Sequence, residues 1–201
     1  MAKKKENKMY TEEEIAKWLQ GRNENQQKII RYFLQTPEPD GCFSQKPLLT
    51  HHEYRELRDR NALKFSKELV LEKLCIDASE VAQIKPVCLV GHLWDWGADR
   101  WYSNEFYSSL YQVTWLLFSV EQLYVYQFSF NTTSNFVSEK SEEYFYKDVT
   151  SFSTETDSHG RVGFKIVVPG DQFCCAIDNG DDNTMKSIQG MKSILRDKKR
   201  Q

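Results

Sequence analysis

The stretch Leu117-Phe118-Ser119-Val120-Glu121-Gln122-Leu123-Tyr124-Val125-Tyr126 decides how the chain folds. Apolar and aromatic residues run up to a short polar step and resume after it, the pattern of a strand, a tight turn and a second strand. Successive strand side chains point to opposite faces. Leu123 and Val125 alternate with Tyr124 and Tyr126, so this second strand is apolar on both faces and belongs inside a sheet.

The same pattern extends both ways. Short β-branched and aromatic runs separated by turn residues predict strands at about 87–93, 100–107, 113–119, 122–131, 143–153, 161–168 and 172–177. The clearest hairpin is Phe164–Val168, then Pro169-Gly170-Asp171, then Phe173–Ile177. After a turn at Asp178–Asn183, with Asn183 as expected N-cap, Met185, Ile188, Met191 and Leu195 recur at helical steps. Arg196, Lys198, Lys199 and Arg200 follow where a helix dipole favours cations. Gly190 within that helix suggests a close approach to the sheet.

Pro86 marks a change of grammar, so residues 1–85 read as a helical N-terminal region and residues 86–201 as a β-rich domain with a C-terminal helix. Thr11-Glu12-Glu13-Glu14 is a capping box, in which the Thr hydroxyl and the third Glu satisfy each other's backbone N–H groups. Ile15, Trp18 and Leu19 follow at helical spacing, and Gly21 breaks or ends that helix. A second helix at about 23–35 presents Ile29, Ile30, Phe33 and Leu34, and Pro37-Glu38-Pro39-Asp40-Gly41 stops it. After a loop at 42–52, a helical stretch, broken or continuous, runs from Glu53 to Leu74, with Leu63, Val70, Leu71 and Leu74 facing inward.

Seven short strands followed by one helix is an order that resembles the pleckstrin-homology-like (PH-like) domains of bacterial proteins. The likeness spans Val113 to Lys199 and rests on Leu117–Tyr126, on Tyr144-Phe145-Tyr146-Lys147-Asp148-Val149-Thr150-Ser151-Phe152, and on the closing helix Ser187–Lys199. It extends further if residues 87–107 supply the first two strands. The resemblance implies an α+β fold: N-terminal helices, then a PH-like antiparallel sheet or open barrel closed by a helix. It does not imply one function. Some members bind phosphoinositides through a basic loop between the first two strands. Here that loop, Leu93–Tyr102, holds Asp95, Asp99 and one basic residue, Arg100.

Charge points the same way. Residues 1–85 carry net +2, residues 86–182 net −9 and residues 183–201 net +5. Phosphate backbones and anionic lipids are held mainly by Lys and Arg. The acidic segment is therefore a poor partner for nucleic acid or acidic membrane. The longest apolar run, Val113–Val120, is far short of the ~20 residues a membrane helix needs. With no apolar run behind Met1-Ala-Lys-Lys-Lys and an odd count of five cysteines, the expectation is a cytoplasmic protein with reduced, mostly buried thiols.

Candidate sites are few. Cys174-Cys175 sit side by side in a strand, where adjacent side chains diverge, and read as structural thiols. His51-His52-Glu53 with Glu56 has partial metal-ligand spacing but no other His or Cys near in sequence. Asp178–Asn183 lacks the Gly and Glu a calcium loop requires and reads as a capping turn. Asn131-Thr132-Thr133 reads as a polar strand end, and Asp148 as a carboxylate bonding nearby backbone N–H groups.

The segment from Trp94 to Tyr102 stands out: Trp94, Trp96, Trp101 and Tyr102 form an aromatic cluster of the kind that anchors partners. The competing reading is that these rings close the sheet or receive the N-terminal helices. We expect a non-enzymatic module binding a protein or peptide, with no cofactor and no metal. The alternatives are a self-associating structural protein, hence a homo-oligomer, and a small-molecule enzyme using the acids of the acidic segment.

Overall fold

The computed structural model describes residues 9–35, 49–93, 97–102, 105–156, 162–178, 182–198 and 200. Its elements are α1 (Glu12–Leu19), α2 (Glu24–Leu34), α3 (His51–Ala62), α4 (Lys67–Leu74), β1 (Val87–His92), β2 (Asp99–Tyr102), β3 (Glu105–Ser108), β4 (Leu110–Phe118) and β5 (Gln122–Asn131). Then come β6 (Val137–Phe145), a 3-10 turn (Tyr146–Asp148), β7 (Ser151–Thr156), β8 (Val162–Val168), β9 (Asp171–Ile177) and α5 (Asp182–Lys198). The fold is α+β, as expected. Its strands form sheets ordered β1-β4-β5-β6, β2-β3 and β7-β8-β9, not one closed barrel.

Two compact units divide the chain: Met1–Lys64, His92–Tyr111 and Phe130–Val137 make one, and Phe65–Gly91, Gln112–Ser129 and Ser138–Gln201 the other. In the first, Thr11, Asn23 and Thr50 each close a capping box with the residue three places on, which fixes where α1, α2 and α3 begin. Their apolar stripes bury Ile15, Ile29, Ile30, Phe33, Leu34 and Tyr54 together with Tyr107 of β3.

The second unit holds α4, β1, most of β4 to β6, then β7 to β9 and α5. Leu89, Phe118, Leu123, Val125, Phe164, Ile166 and Phe173 form its core, with Ile188 and Leu195 of α5 buried among them. Met185 and Met191 of the expected stripe lie outside the described side chains. Seven of the strands, four in one sheet and three in another, are followed by the terminal helix α5. In the β8–β9 hairpin Val168 pairs with Asp171, Pro169 presets the turn, and Gly170 supplies φ +83°.

The strands differ from the sequence reading in two places. Residues 100–107 are not one strand but the β2–β3 hairpin, which folds with the N-terminal helices; Tyr102 pairs with Glu105. Residues 143–153 are split by the 3-10 turn. There buried Tyr146 donates its N–H to the Glu121 carbonyl (3.1 Å) and its hydroxyl to the Ser119 carbonyl (3.0 Å), and the chain passes from one sheet to the other. β6 reaches back to Val137 despite its polar sequence because it is the sheet's edge, where charges such as Glu139 and Lys140 also deter stray pairing.

Other expectations are corrected. Leu63 is 78% exposed, because it caps α3 and the helix does not continue into α4. Leu71 and Leu74 are only half-buried, whereas Val70 is buried. Cys75, Cys88 and Cys174 are exposed and only Cys175 of the described thiols is buried; Cys42 lies outside the described residues. Cys174 and Cys175 fall on opposite faces of β9, as the pleat requires. Asn183 lies inside α5, not at its cap. Asp148 sits exposed in the 3-10 turn, with no hydrogen bond to a neighbouring turn among the described residues. Gly190 is exposed, with nothing among the described residues within 4 Å of where a Cβ would stand, so it marks no close approach there. That role falls to Gly91, whose Cβ would lie 2.6 Å from the Ala176 carbonyl carbon.

Candidate functional site

The aromatic segment singled out in the sequence enters the structure as the β2–β3 hairpin; Trp94 and Trp96 lie outside the described residues. The register pairs Arg100 with Tyr107, Trp101 with Phe106 and Tyr102 with Glu105. Alternation therefore sorts the side chains by face. Arg100, Tyr102, Glu105 and Tyr107 share one face. Trp101 and Phe106 share the other, with half-buried rings edge-on at 5.3 Å.

The first face meets the helices. Tyr102 stacks on the His51 ring at 3.9 Å, with the planes 10° apart, and Tyr107 meets the same imidazole edge-on at 4.5 Å. His51 Nδ1 lies 2.6 Å from the Tyr32 hydroxyl, and Tyr32 stacks on Tyr54 at 4.9 Å. Arg100 donates to the Tyr32 carbonyl, and its guanidinium carbon stands 4.8 Å from the Tyr32 ring centre. Its Nε is buried without a hydrogen-bond partner among the described residues. Tyr102 remains 44% exposed despite its stack.

Beneath this layer lies a buried polar network. Arg58 NH1 is 3.0 Å from His92 Nε2, and a guanidinium can only donate, so that nitrogen carries the lone pair. The other ring nitrogen, Nδ1, lies 2.8 Å from the Ser108 carbonyl oxygen and 3.1 Å from the Ser108 backbone nitrogen, so both sides of the imidazole are held. The same carbonyl accepts the Tyr54 hydroxyl at 2.9 Å. Arg58 also lies 4.5 Å from the Tyr111 ring and pairs with Asp59 at 2.7 Å. The network ties α3 to the base of the hairpin and holds β3 against it.

Electrostatics shift three groups of this face, His51, Tyr32 and Tyr107. Burial, then the Arg55, Arg100 and Arg58 charges, lowers the His51 pKa from its ordinary 6.5. Burial pushes the Tyr32 phenol up to about 12. Burial and the hydrogen bond to Glu105 raise Tyr107 further. A neutral imidazole, protonated phenols and positioned guanidinium ions suit stacking and hydrogen bonding.

His51 thus joins the aromatic face, while His52 is exposed and pairs with Glu56 at 3.4 Å. No group of three or more potential metal-ligating residues occurs among the described residues. Sequence reasoning missed Tyr32, His51 and Arg100 as neighbours of Tyr102. Fifty-one positions separate His51 from Tyr102, and no local pattern encodes that contact.

No family model and no curated protein matches the chain. Among solved structures it is similar to a DUF1696 family protein with a pleckstrin-homology domain from Shewanella loihica PV-4. The identity is 21%, the match covers 49% of this chain and 83% of that one, and the TM-score is 0.29. No helix among the described residues is long and apolar enough to cross a membrane.

Proposed function

We propose that the chain is a non-enzymatic module that binds a protein or peptide through the β2–β3 hairpin, with Tyr102 as its central anchor and Trp94, Trp96 and Trp101 contributing from the same segment. The observation that carries this reading is the state of Tyr102: exposed to solvent, yet held flat on His51. An aromatic ring already immobilised loses little entropy when a partner covers it. The two-stranded sheet adds a second feature, since neither of its outer edges pairs with another strand among the described residues. Such edges take up extended peptides by adding a strand.

The test uses the full chain as bait for a random peptide library, followed by affinity measurement on the selected peptides. Tyr102→Ala should weaken them by about 30-fold, roughly 2 kcal/mol, the scale of an interface hot spot. Val120→Ala, at another exposed apolar position, should leave affinity unchanged. A folded Tyr102→Ala variant that binds as tightly as wild type refutes the assignment. A chain that runs as a dimer in solution, and loses the dimer on Tyr102→Ala, makes a second copy the partner.

A further inference from the structure

A second site lies within the same unit. Lys17, Trp18, Arg22, Asn131, Thr133 and Ser134 line a recess of about 390 Å³, between α1 and its following turn on one side and the β5–β6 turn on the other. That size falls in the range of small-ligand pockets, roughly 300–1,000 Å³. Gln26 Nε2 of α2, the helix that follows that turn, donates to Asn135 Oδ1 of the β5–β6 turn at 2.8 Å.

The polar groups of the recess are biased toward donation. Asn131 Oδ1 already accepts both the N–H (2.9 Å) and the hydroxyl (2.7 Å) of Thr133, which leaves the amide's donor end. Ser134 Oγ accepts the Phe136 N–H at 3.2 Å, which leaves its proton. Arg22 is pinned through its backbone: its N–H bonds the Leu19 carbonyl (3.1 Å) and its carbonyl accepts Gln27 Nε2 (2.8 Å). Yet Arg22 Nε is buried with no partner among the described residues. A buried donor left unpaired is costly, so an acceptor delivered by a ligand gains by satisfying it. Lys17 adds a second cation; its 3.0 Å pair with Glu13 joins two highly exposed side chains and is weak enough to exchange. Trp18 supplies a flat apolar wall.

We infer that this recess binds a small organic carboxylate: Arg22 and Lys17 take the carboxylate, the Asn131 amide and Ser134 hydroxyl donate to its oxygens, and the Trp18 ring covers a flat or apolar body. A planar guanidinium matches the two oxygens of a carboxylate. The same chemistry comes from a free acid or from the C-terminus of a peptide.

Calorimetric titration of the full chain decides. Phenylacetate should bind saturably, and 2-phenylethanol, its neutral counterpart, should not. Arg22→Gln should weaken phenylacetate about tenfold or more, the loss of a charge-assisted hydrogen bond. Lys17→Gln, at an exposed position that leaves folding intact, should weaken it about threefold. A short peptide ending in Phe identifies the source: tighter binding than phenylacetate assigns a peptide C-terminus, and binding no tighter assigns a free acid. The inference is overturned if phenylacetate does not bind, if inorganic phosphate binds as tightly, if the C-terminally amidated peptide binds as well as the free one, or if a folded Arg22→Gln variant retains wild-type affinity.

Discussion

Gly91 gives the sharpest structural test. It lies in β1, and a Cβ built there meets the Ala176 carbonyl carbon and the Ile177 nitrogen at 2.6 Å, with the Ala176 oxygen at 2.8 Å. All three are backbone atoms, so no side chain can swing away. Ordinary contact begins near 3.4 Å, so Gly91→Ala must displace one chain segment by most of an ångström. The neighbouring hydrogen bond, Asp178 N–H to the Val90 carbonyl at 2.8 Å, does not survive such a shift unchanged. Overpacking costs about 1–3 kcal/mol and a lost hydrogen bond about 1 kcal/mol. Replacing glycine in a strand returns about 0.5–1 kcal/mol. The net is a loss of about 1–3.5 kcal/mol, or a Tm lower by roughly 2–14 °C for a chain of this size. Gly190→Ala is the mirror experiment. Nothing among the described residues lies within 4 Å of that Cβ, so the helix gains about 1 kcal/mol and the Tm rises by roughly 2–4 °C. Thermal melts followed by circular dichroism read both. A Gly91→Ala protein that melts within 1 °C of wild type refutes the close approach of β1 to the Ala176–Ile177 backbone.

Ile188 of α5 is 0% exposed, so Ile188→Ala should cost about 2–5 kcal/mol, and Ile188→Asp more because it buries an unpaired charge; an unchanged Tm for either would show that α5 does not close the core. Because the folded-state pKa of His51 lies below its ordinary 6.5, the unfolded chain binds more protons between the two values. The contribution of His51 is therefore fully present above about pH 6.5 and is lost as pH falls through the lower pKa. Urea melts should show His51→Gln more destabilising at pH 7.5 than at pH 5.5, and a pH-independent difference would exclude this linkage. With net −9 across residues 86–182, no sedimentation with phosphatidylserine or phosphoinositide vesicles is expected near physiological salt; salt-sensitive binding would contradict this and direct attention to the basic C-terminal segment.

What the sequence determined is what neighbours along the chain control. The capping box at Thr11, the strand at 122–131, the Pro169-Gly170 turn and the Ile188–Leu195 stripe all depend on backbone conformation and on periods of two or three to four residues. The tertiary structure decided the rest. Residues 100–107 reverse and pack beside α2 and α3 because Tyr102, Tyr107 and Arg100 find His51, Tyr32 and Tyr54 there, rings supplied by two segments read as helices and, for His51, by one read as a loop. The strand expected at 143–153 breaks because Tyr146 bonds to the turn at Ser119–Glu121. The carboxylate recess likewise joins α1 and its following turn to the β5–β6 turn, more than a hundred residues further on. Local propensity sets which elements form. Which side chains meet is set by burial and hydrogen-bond satisfaction across long sequence separations, and a single chain read in order carries no signal of it.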